Sequence, residues 1–256
     1  MTRPDMPVED IIGYPVTTLT RAQVRDRVKA WLSETGPARI FACANPHSLH
    51  VAESDPAFQR ALREADLLTP DGIGIVIGSK WLKGQIRDRI TGHDVFEDTC
   101  DLLNETGGSV FFLGSTEHVL AEIKQRLPQD WPNMRLAGTY SPPFRPEFSD
   151  DDNDAMIAAV NASNADVLWV GMTAPKQEKW IAQNADRLNV RFIGAIGAVF
   201  DFYAGTVPRS PAVFQKLGME WLPRLMRQPK RLWRRNFVSN PSFLARVARA
   251  RLRGSR

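Results

Sequence analysis

The chain contains 256 residues, of which 43% are hydrophobic and 24% charged, a composition typical of an ordinary globular protein. No stretch approaches the roughly 20 consecutive apolar residues of a transmembrane helix, and the N-terminus has no apolar signal-peptide core. The net charge of +4 is unevenly distributed: residues 209–256 contain 13 Lys or Arg and one acid, Glu220, whereas the remainder contains 20 basic and 28 acidic residues. We therefore expect a chain that stays in the cytoplasm and has an anionic partner, such as phosphates, anionic lipid or nucleic acid.

Strand and helix signals alternate along the first 208 residues. Strands are predicted over 11–19, 39–43, 67–72 (a strand with its turn), 109–113, 134–138, 166–170 and 190–193. Helices are predicted over 21–33, 49–64 with a break near Pro56, 73–81, 93–105, 116–127, 150–162 and 175–185, with a short helix within 194–205. This alternation predicts an α/β fold with a mostly parallel sheet covered by helices on both faces. Beyond Pro208 we expect helices and no strand, so the predicted domains are a core over 1–208 and a basic appendage over 209–256.

Several of the predicted strand-to-helix turns carry glycine or polar residues. They contain Asn45, Asp71 with Gly72, Gly114 with Ser115, the segment 171–177, and Gly194 to Gly197. In an open α/β sheet such turns face the ligand crevice, and the free N–H groups of helix N-termini favour an anion. Tight packing explains each glycine turn alone, and an Asp-Gly turn that bonds its own backbone explains Asp71. Together the turns favour a nucleotide ligand.

Two positions in these turns, and Asp201 shortly after the last turn, have a specific interpretation. Asn45 is expected to cap a helix whose first residue is Pro46. Gln177 either lies near a ligand at the mouth of its helix or belongs, with Glu178, to an exposed first turn suited to the helix dipole. Asp201 either bonds a base edge or pairs with an arginine.

The sequence lacks the signatures of several other chemistries. Gly194-x-x-Gly197 is not a full dinucleotide fingerprint, and neither a Walker A motif nor a Gly-x-Ser-x-Gly elbow is present. His47 and His50 are three residues apart, but no carboxylate lies at a convincing metal spacing, so we expect no metal site. Cys43 and Cys100 are too few for a disulfide framework, and we expect both to be small buried apolar side chains.

The segment after Pro208 interleaves apolar and aromatic side chains with basic ones. Trp221, Leu222, Leu225 and Met226 form an apolar cluster, and the basic residues among and after them are Arg224, Arg227, Lys230, Arg231, Arg234 and Arg235. This pattern is typical of an interfacial helix that lies on an anionic membrane. Nucleic acid is a weaker interpretation because no nucleic-acid motif accompanies the pattern, and a helical pair packed on the core is the structural alternative.

These motifs together resemble the WecG/TagA/CpsF family of bacterial glycosyltransferases, glycosyltransferase family 26. The matching segments run in order along nearly the whole chain: Asn45-Pro46, Thr69-Pro70-Asp71-Gly72-Ile73-Gly74, Arg89-Ile90-Thr91-Gly92, Phe112-Leu113-Gly114, Gly138-Thr139-Tyr140, 171–180, 194–202, 204–211 and the basic tail after Gly218-Met219-Glu220-Trp221.

The resemblance implies a Rossmann-like core with a helical, membrane-associating appendage. It implies an inverting, metal-independent transfer of a sugar from a UDP-sugar to a polyprenyl-diphosphate-linked saccharide, without a cofactor. The expected place is the inner face of the bacterial plasma membrane, in cell-surface or exopolysaccharide synthesis. The resemblance implies no nucleic-acid partner and is compatible with a homo-oligomer.

The resemblance also implies roles for individual residues. Asp71 is the implied base, with Asn45 and Arg89 in the same catalytic set. The residues implied to bind substrate are Cys43, Gly72, Gly114, Tyr140, Gly171, Lys176, Gln177, Gly197, Asp201 on the uracil side, and the appendage arginines Arg224, Arg231 and Arg234. Relatives often have Thr at the position of Cys43, so a hydroxyl contact to donor or acceptor is expected to be missing.

Two alternative functions remain open from the sequence. A non-catalytic membrane-docking protein that binds nucleotides would use the same turns and the same basic tail. A nucleotide-sugar-modifying or NAD-dependent enzyme would use the same turns, although the missing Gly-x-Gly-x-x-Gly fingerprint weighs against it.

Overall fold

The computed structural model of the protein describes residues 6–208 and 235–254 and, between these ranges, the positions Phe214, Leu225, Met226 and Trp233. Arg224, Arg231 and Arg234 lie outside the described residues, so the predictions made for them stay predictions.

Strands and helices alternate along the described chain. The strands are β1 Val8–Asp10, β2 Pro15–Thr17, β3 Arg39–Ala44, β4 Leu67–Pro70, β5 Ser109–Gly114, β6 Arg135–Tyr140, β7 Val167–Gly171 and β8 Phe192–Ala195. The helices are α1 Arg21–Ser33, α2 Pro46–Val51, α3 Pro56–Glu64, α4 Ile73–Trp81, α5 Gly92–Thr106, α6 Glu117–Asp130, α7 Asp150–Ser163, α8 Lys176–Asn184, α9 Val199–Tyr203 and α10 Asn240–Leu252. A 3₁₀ turn at Ala185–Arg187 follows α8, and a π-helical turn at Arg235–Ser239 leads into α10.

A six-stranded parallel sheet flanked by helices confirms the predicted α/β fold. The strand order is β4-β3-β8-β7-β5-β6, and β1 and β2 form a separate antiparallel hairpin. Every residue of β4, β5, β7 and β8 is buried, as expected for parallel strands that are covered on both faces. The predominance of apolar residues in these strands, interrupted by Thr69 and Ser109, fits burial on both faces.

The predicted strand over 11–19 is confirmed only for Pro15–Thr17, because the chain turns before it. Ile12 and Gly13 have positive φ angles of 50° and 92°, and the N–H of Ile11 donates to the carbonyl of Tyr14 at 2.8 Å. The turn separates β1 from β2, whose residues Val8 and Thr17 pair across the hairpin. The last strand is also displaced from its predicted range, since Gly194 and Ala195 still belong to β8.

The chain forms two compact units. The first unit comprises Met1–Thr20, Cys43–Thr91 and Pro208–Arg256, and the second comprises Arg21–Ala42 and Gly92–Val207. In the first unit, the side chains of Phe243 and Val247 on α10 fill the space beside Gly78 on α4. In the second unit, a cluster of buried apolar side chains includes Leu168 of β7 and Ile181 of α8.

Candidate active site

The Asp71 turn connects β4 to α4 in the first unit. The N–H of Asp71 donates to the carbonyl of Ala44 at the end of β3, at 2.8 Å. Gly72 follows with φ = 100° and ψ = 149°, in a region that favours glycine, and it is the N-cap of α4. The Asp71 side chain is half-buried. The turn thus holds a carboxylate that retains access to solvent at the carboxyl end of a buried strand.

Asn45 caps α2 in the way that the sequence predicted. Its side-chain Oδ1 accepts hydrogen bonds from the N–H of His47 at 3.1 Å and from the N–H of Ser48 at 2.9 Å. The Ser48 hydroxyl bonds back to the N–H of Asn45 at 2.9 Å, which completes a capping box, and Pro46 occupies the first helical position. Because Oδ1 serves the cap, a ligand contact of Asn45 would use the side-chain Nδ2 group.

Backbone contacts bring Asn45, Asp71 and Arg89 together. The N–H of Ile90, the residue after Arg89, donates to the carbonyl of Pro70 at 2.8 Å. The small Gly74 on α4 lies so close to Pro46 that a Cβ atom there would collide with the proline ring. The three residues predicted to be catalytic are therefore carried by adjoining segments of one compact unit, and their roles stay predictions.

The prediction of a buried Cys43 is corrected by the structure, whereas that of a buried Cys100 is confirmed. Cys43 is half-buried, and the hydroxyl of the buried Thr69 donates to its Sγ at 3.6 Å. Cys100 is fully buried, which raises the pKa of its thiol well above the ordinary value. A hydroxyl thus lies beside Cys43, but it belongs to the neighbouring strand.

Gln177 and Glu178 lie in the first turn of α8 in the second unit, and both are buried, with 5% and 7% of their surface exposed. The interpretation of an exposed first turn is therefore wrong. The N–H of Met172 donates to Gln177 Oε1 at 3.3 Å, and Gln177 Nε2 donates to Glu178 Oε1 at 3.0 Å. Gly197, with φ = 50°, lies against the same amide: a Cβ atom there would be 3.5 Å from Oε1. The ends of β7 and β8 and the start of α8 therefore meet at the Gln177 side chain.

Burial sets the protonation of Glu178. Its carboxyl group lies out of contact with water, which raises the pKa to about 7, and the hydrogen bond from Gln177 opposes this effect only in part. Its second oxygen, Oε2, is buried without a hydrogen-bond partner. Sequence reasoning did not select Glu178, since a glutamate in the first turn of a helix is ordinarily exposed.

The side chain of Lys176 contacts the loop between β6 and α7. Its Nζ donates to the carbonyl of Arg145 at 2.5 Å and lies 3.5 Å from the centroid of the Phe148 ring. Desolvation lowers the pKa of this ammonium group. The Lys176 ammonium group is thus held by Arg145 and Phe148 of the loop before α7. Its predicted contact with substrate stays a prediction.

The other predicted residues of the second unit lie at strand ends or nearby. Gly114 and Gly171 are the paired last residues of β5 and β7, and Tyr140 is the last residue of β6. Asp201 lies on α9, where its carbonyl accepts from the N–H of Val207 at 3.2 Å. Their predicted contacts with substrate stay predictions.

Comparison with known proteins identifies the family. The model of the "Glycosyl transferase WecG/TagA/CpsF family" matches residues 9–256. The chain belongs to this family. The resemblance inferred from the motifs is therefore confirmed, and the protein is a glycosyltransferase.

Two relatives illustrate the similarity. The chain is 32% identical over 211 residues to an N-acetylglucosaminyldiphosphoundecaprenol N-acetyl-beta-D-mannosaminyltransferase of Bacillus spizizenii (strain ATCC 23059 / NRRL B-14472 / W23), covering 81% of this chain and 78% of the relative. It is 26% identical over 243 residues to a protein of the same name from Staphylococcus aureus (strain MW2), covering 94% and 92% of the two chains. Membership of a family of transferases favours catalysis over the non-catalytic and NAD-dependent alternatives.

The structure bears on two further expectations. Among the residues it describes, no helix combines the length and apolar character that crossing a membrane requires. Within the same residues, no group of three or more His, Cys, Asp or Glu side chains is arranged to hold a metal ion. Neither finding tests the metal requirement of the reaction, so metal independence stays a prediction.

Proposed function

We propose that this glycosyltransferase moves a sugar of the N-acetylmannosamine type from its UDP derivative to a saccharide linked to polyprenyl diphosphate. The names of the two relatives support this choice, because both describe transfer of N-acetylmannosamine to a diphosphoundecaprenol-linked N-acetylglucosamine. The mannosaminuronic acid and glucose are the alternative sugars. The product would serve cell-surface or exopolysaccharide synthesis.

The observation that carries the proposal is the placement of Asp71. Its carboxylate is half-buried, at the carboxyl end of β4, on a turn tied to Ala44 and therefore next to Asn45. Transfer to a hydroxyl requires one general base that reaches the incoming acceptor. Glu178 is a poorer base because it is buried and already accepts a hydrogen bond from Gln177. We therefore assign the base to Asp71.

The proposed reaction is a single displacement with inversion. Asp71 takes the proton of the acceptor hydroxyl as the hydroxyl oxygen forms a bond to the anomeric carbon. The bond from that carbon to the UDP oxygen breaks, and UDP leaves with the electron pair. Arg89 and the appendage residues Arg224, Arg231 and Arg234 are proposed to balance the negative charge that develops on UDP.

The appendage is proposed to bring the enzyme to its acceptor. The acceptor is anchored in a membrane by its polyprenyl chain, and the excess of basic residues over 209–256 favours an anionic lipid surface. The proposed place of the reaction is accordingly the inner face of the plasma membrane.

The variant Asp71→Asn tests the assignment of the base. The amide keeps the shape of the side chain but takes up no proton, so we expect kcat to fall by about a thousandfold while the Kd for UDP stays within about threefold of the parent value. The exposed Asp88 provides a matched control, and Asp88→Asn should keep the parent rate. A parent-like kcat in Asp71→Asn would remove Asp71 as the base.

A further inference from the structure

The side-chain amide of Gln177 has a defined orientation in the second unit. Its Oε1 accepts from the N–H of Met172, and its Nε2 donates to Glu178 Oε1. If the amide were flipped, Nε2 would face the N–H of Met172 and Oε1 would face the carboxyl oxygen of Glu178. The N–H of Met172 would then face a second donor, and the ionised carboxylate of Glu178 would face a second acceptor, in a site where both side chains are at least nine-tenths buried. The two neighbours therefore select one orientation.

The fixed amide leaves one hydrogen-bond donor available. Nε2 carries two N–H groups, of which one is directed to Glu178, and the described residues provide no acceptor for the other. Gly197, just after β8, has no side chain, and a Cβ atom there would lie 3.6 Å from Nε2. The second N–H can therefore donate to an acceptor atom from outside the described protein, such as an oxygen.

We propose that Glu178 is a positioning residue that holds the Gln177 amide so that its remaining N–H donates to an oxygen of the nucleoside-diphosphate donor. This inference rests on the proposed function for the identity of the ligand. The orientation of the amide rests on the protein alone.

Glu178 fits this task in both of its protonation states. Oε2 is buried and makes no hydrogen bond, so a proton that binds to the carboxyl group can reside on Oε2 without breaking the bond from Gln177 to Oε1. Oε1 then remains an acceptor for Gln177 whether the carboxyl group is charged or neutral. A glutamine at position 178 reproduces the neutral state, because its carbonyl oxygen accepts and its NH₂ group replaces the protonated Oε2. A methionine has similar volume and offers no comparable acceptor.

The first experiment measures hydrogen exchange of the Gln177 side-chain amide by NMR and needs no turnover. The Nε2 signals are assigned by their loss in Gln177→Ala. In the parent and in Glu178→Gln we expect exchange about tenfold slower than that of the exposed Gln85. In Glu178→Met we expect exchange to approach the rate of Gln85. Unchanged exchange in Glu178→Met would overturn the inference.

The second experiment is a double-mutant cycle on kcat/KM for the UDP-sugar. Gln177→Ala and Glu178→Met should each lower kcat/KM by about tenfold to a hundredfold, and the double variant should be no worse than Gln177→Ala alone. Glu178→Gln should stay within about threefold of the parent, since it preserves the acceptor. Additive losses in the double variant would show that Glu178 does not act through Gln177 and would overturn the inference.

Asn184→Leu provides the control for disturbance of α8. Asn184 is buried on the same helix, where its Nδ2 donates to the carbonyl of Trp180 at 2.9 Å. This variant should shift the melting temperature without changing exchange of the Gln177 amide. A parent enzyme that transfers no sugar, but whose Gln177 amide responds to Glu178→Met, would contradict the proposed function and leave the positioning role standing.

Discussion

At the residue scale, the carboxyl group of Glu178 links protonation to stability. Its pKa is about 7 in the folded chain, against an ordinary value of 4.5, because burial penalises the charged form. Between these two values the folded state retains a proton that the unfolded state has lost. The contribution of Glu178 to stability is therefore most favourable below pH 4.5 and is lost as the pH rises through 7.

Glu178→Gln should remove this dependence on pH. We expect the variant to gain about 2 kcal/mol in free energy of unfolding relative to the parent when the pH rises from 5 to 8. Urea denaturation of both proteins at the two pH values measures the change. Asn184→Leu replaces a buried side chain that does not ionise. Its free energy of unfolding should therefore differ from that of the parent by the same amount at pH 5 and at pH 8. If the free energies of unfolding of Glu178→Gln and the parent differed by the same amount at both pH values, the conclusion that burial raises the pKa of Glu178 would be contradicted.

Structural features that depend only on neighbouring residues in the chain were predictable from the sequence. Asn45 followed by Pro46 is a helix start in any context, and a Pro-Asp-Gly segment after an apolar strand is a turn. The burial of Glu178 was not predictable, because the groups that enclose the neighbouring Gln177 come from Met172 and Gly197. Their proximity depends on the pairing of β7 with β8, which is a property of the folded sheet.

At the scale of elements, α10 is a structural part of the first unit. Phe243 is fully buried against Gly78 on α4, and the hydroxyl of the buried Ser239 lies 2.9 Å from His47 Nδ1 on α2. Arg251 donates to the carbonyl of Trp81 at 2.8 Å. The helices that begin next to Asn45 and Asp71 are thus both in contact with the C-terminal segment.

Phe243→Ala should destabilise this packing by about 3 kcal/mol, because it removes a large buried side chain and leaves a cavity. Urea denaturation checks the value. The neighbouring Phe237 is 63% exposed, so Phe237→Ala should lie within about 0.5 kcal/mol of the parent. Equal stabilities of the two variants would contradict the packing of α10 on α4.

Hydrophobic periodicity predicted individual helices but not every connection. The bounds of α1 and α4 agree with the predicted ranges, and Val24, Val28 and Trp31 form the buried face of α1. The β1–β2 hairpin was missed because its turn contains Ile12, a β-branched residue that rarely takes a positive φ. Contacts made only in the folded chain hold this turn: the N–H of Gly13 donates to Asp10 Oδ1 at 2.6 Å, and Arg63 Nε donates to the carbonyl of Gly13 at 2.9 Å.

At the scale of the whole molecule, residues 209–256 have two expected contributions. One is the packing of α10 on the first unit, and the other is the positive charge of the basic residues. Deletion of residues 209–256 would remove α10 together with the basic residues proposed to meet UDP and the membrane, so a truncated chain that loses activity would not separate packing from charge. Such a deletion would also disturb folding, because it removes Phe243, which is fully buried against Gly78. Replacing selected arginines of this segment while keeping α10 is the better test of the role of its charge.

The triple variant Arg224→Gln, Arg231→Gln and Arg234→Gln should lower transfer to an acceptor in anionic vesicles by at least about tenfold. These arginines are proposed to balance the charge that develops on UDP, and each basic residue near an anionic surface also contributes about 1 kcal/mol to binding. Transfer and co-sedimentation with the vesicles are measured at two salt concentrations.

A second triple variant controls for net charge. Lys29→Gln, Arg60→Gln and Lys124→Gln remove the same number of charges at exposed positions outside 209–256. This protein should transfer and sediment like the parent. Equal losses in the two triple variants would indicate a general effect of charge and contradict a specific role of the appendage.

The transfer reaction itself tests the proposed function most directly. The full chain is incubated with UDP-N-acetylmannosamine and a synthetic polyprenyl-diphosphate-linked N-acetylglucosamine, and the lipid product is analysed by mass spectrometry and NMR. We predict one added N-acetylmannosamine in β linkage, inverted from the α-linked donor, and formation of UDP in equal amount. Absence of a lipid-linked product with this donor, its uronic acid and UDP-glucose, or a product that retains the α configuration, would contradict the account.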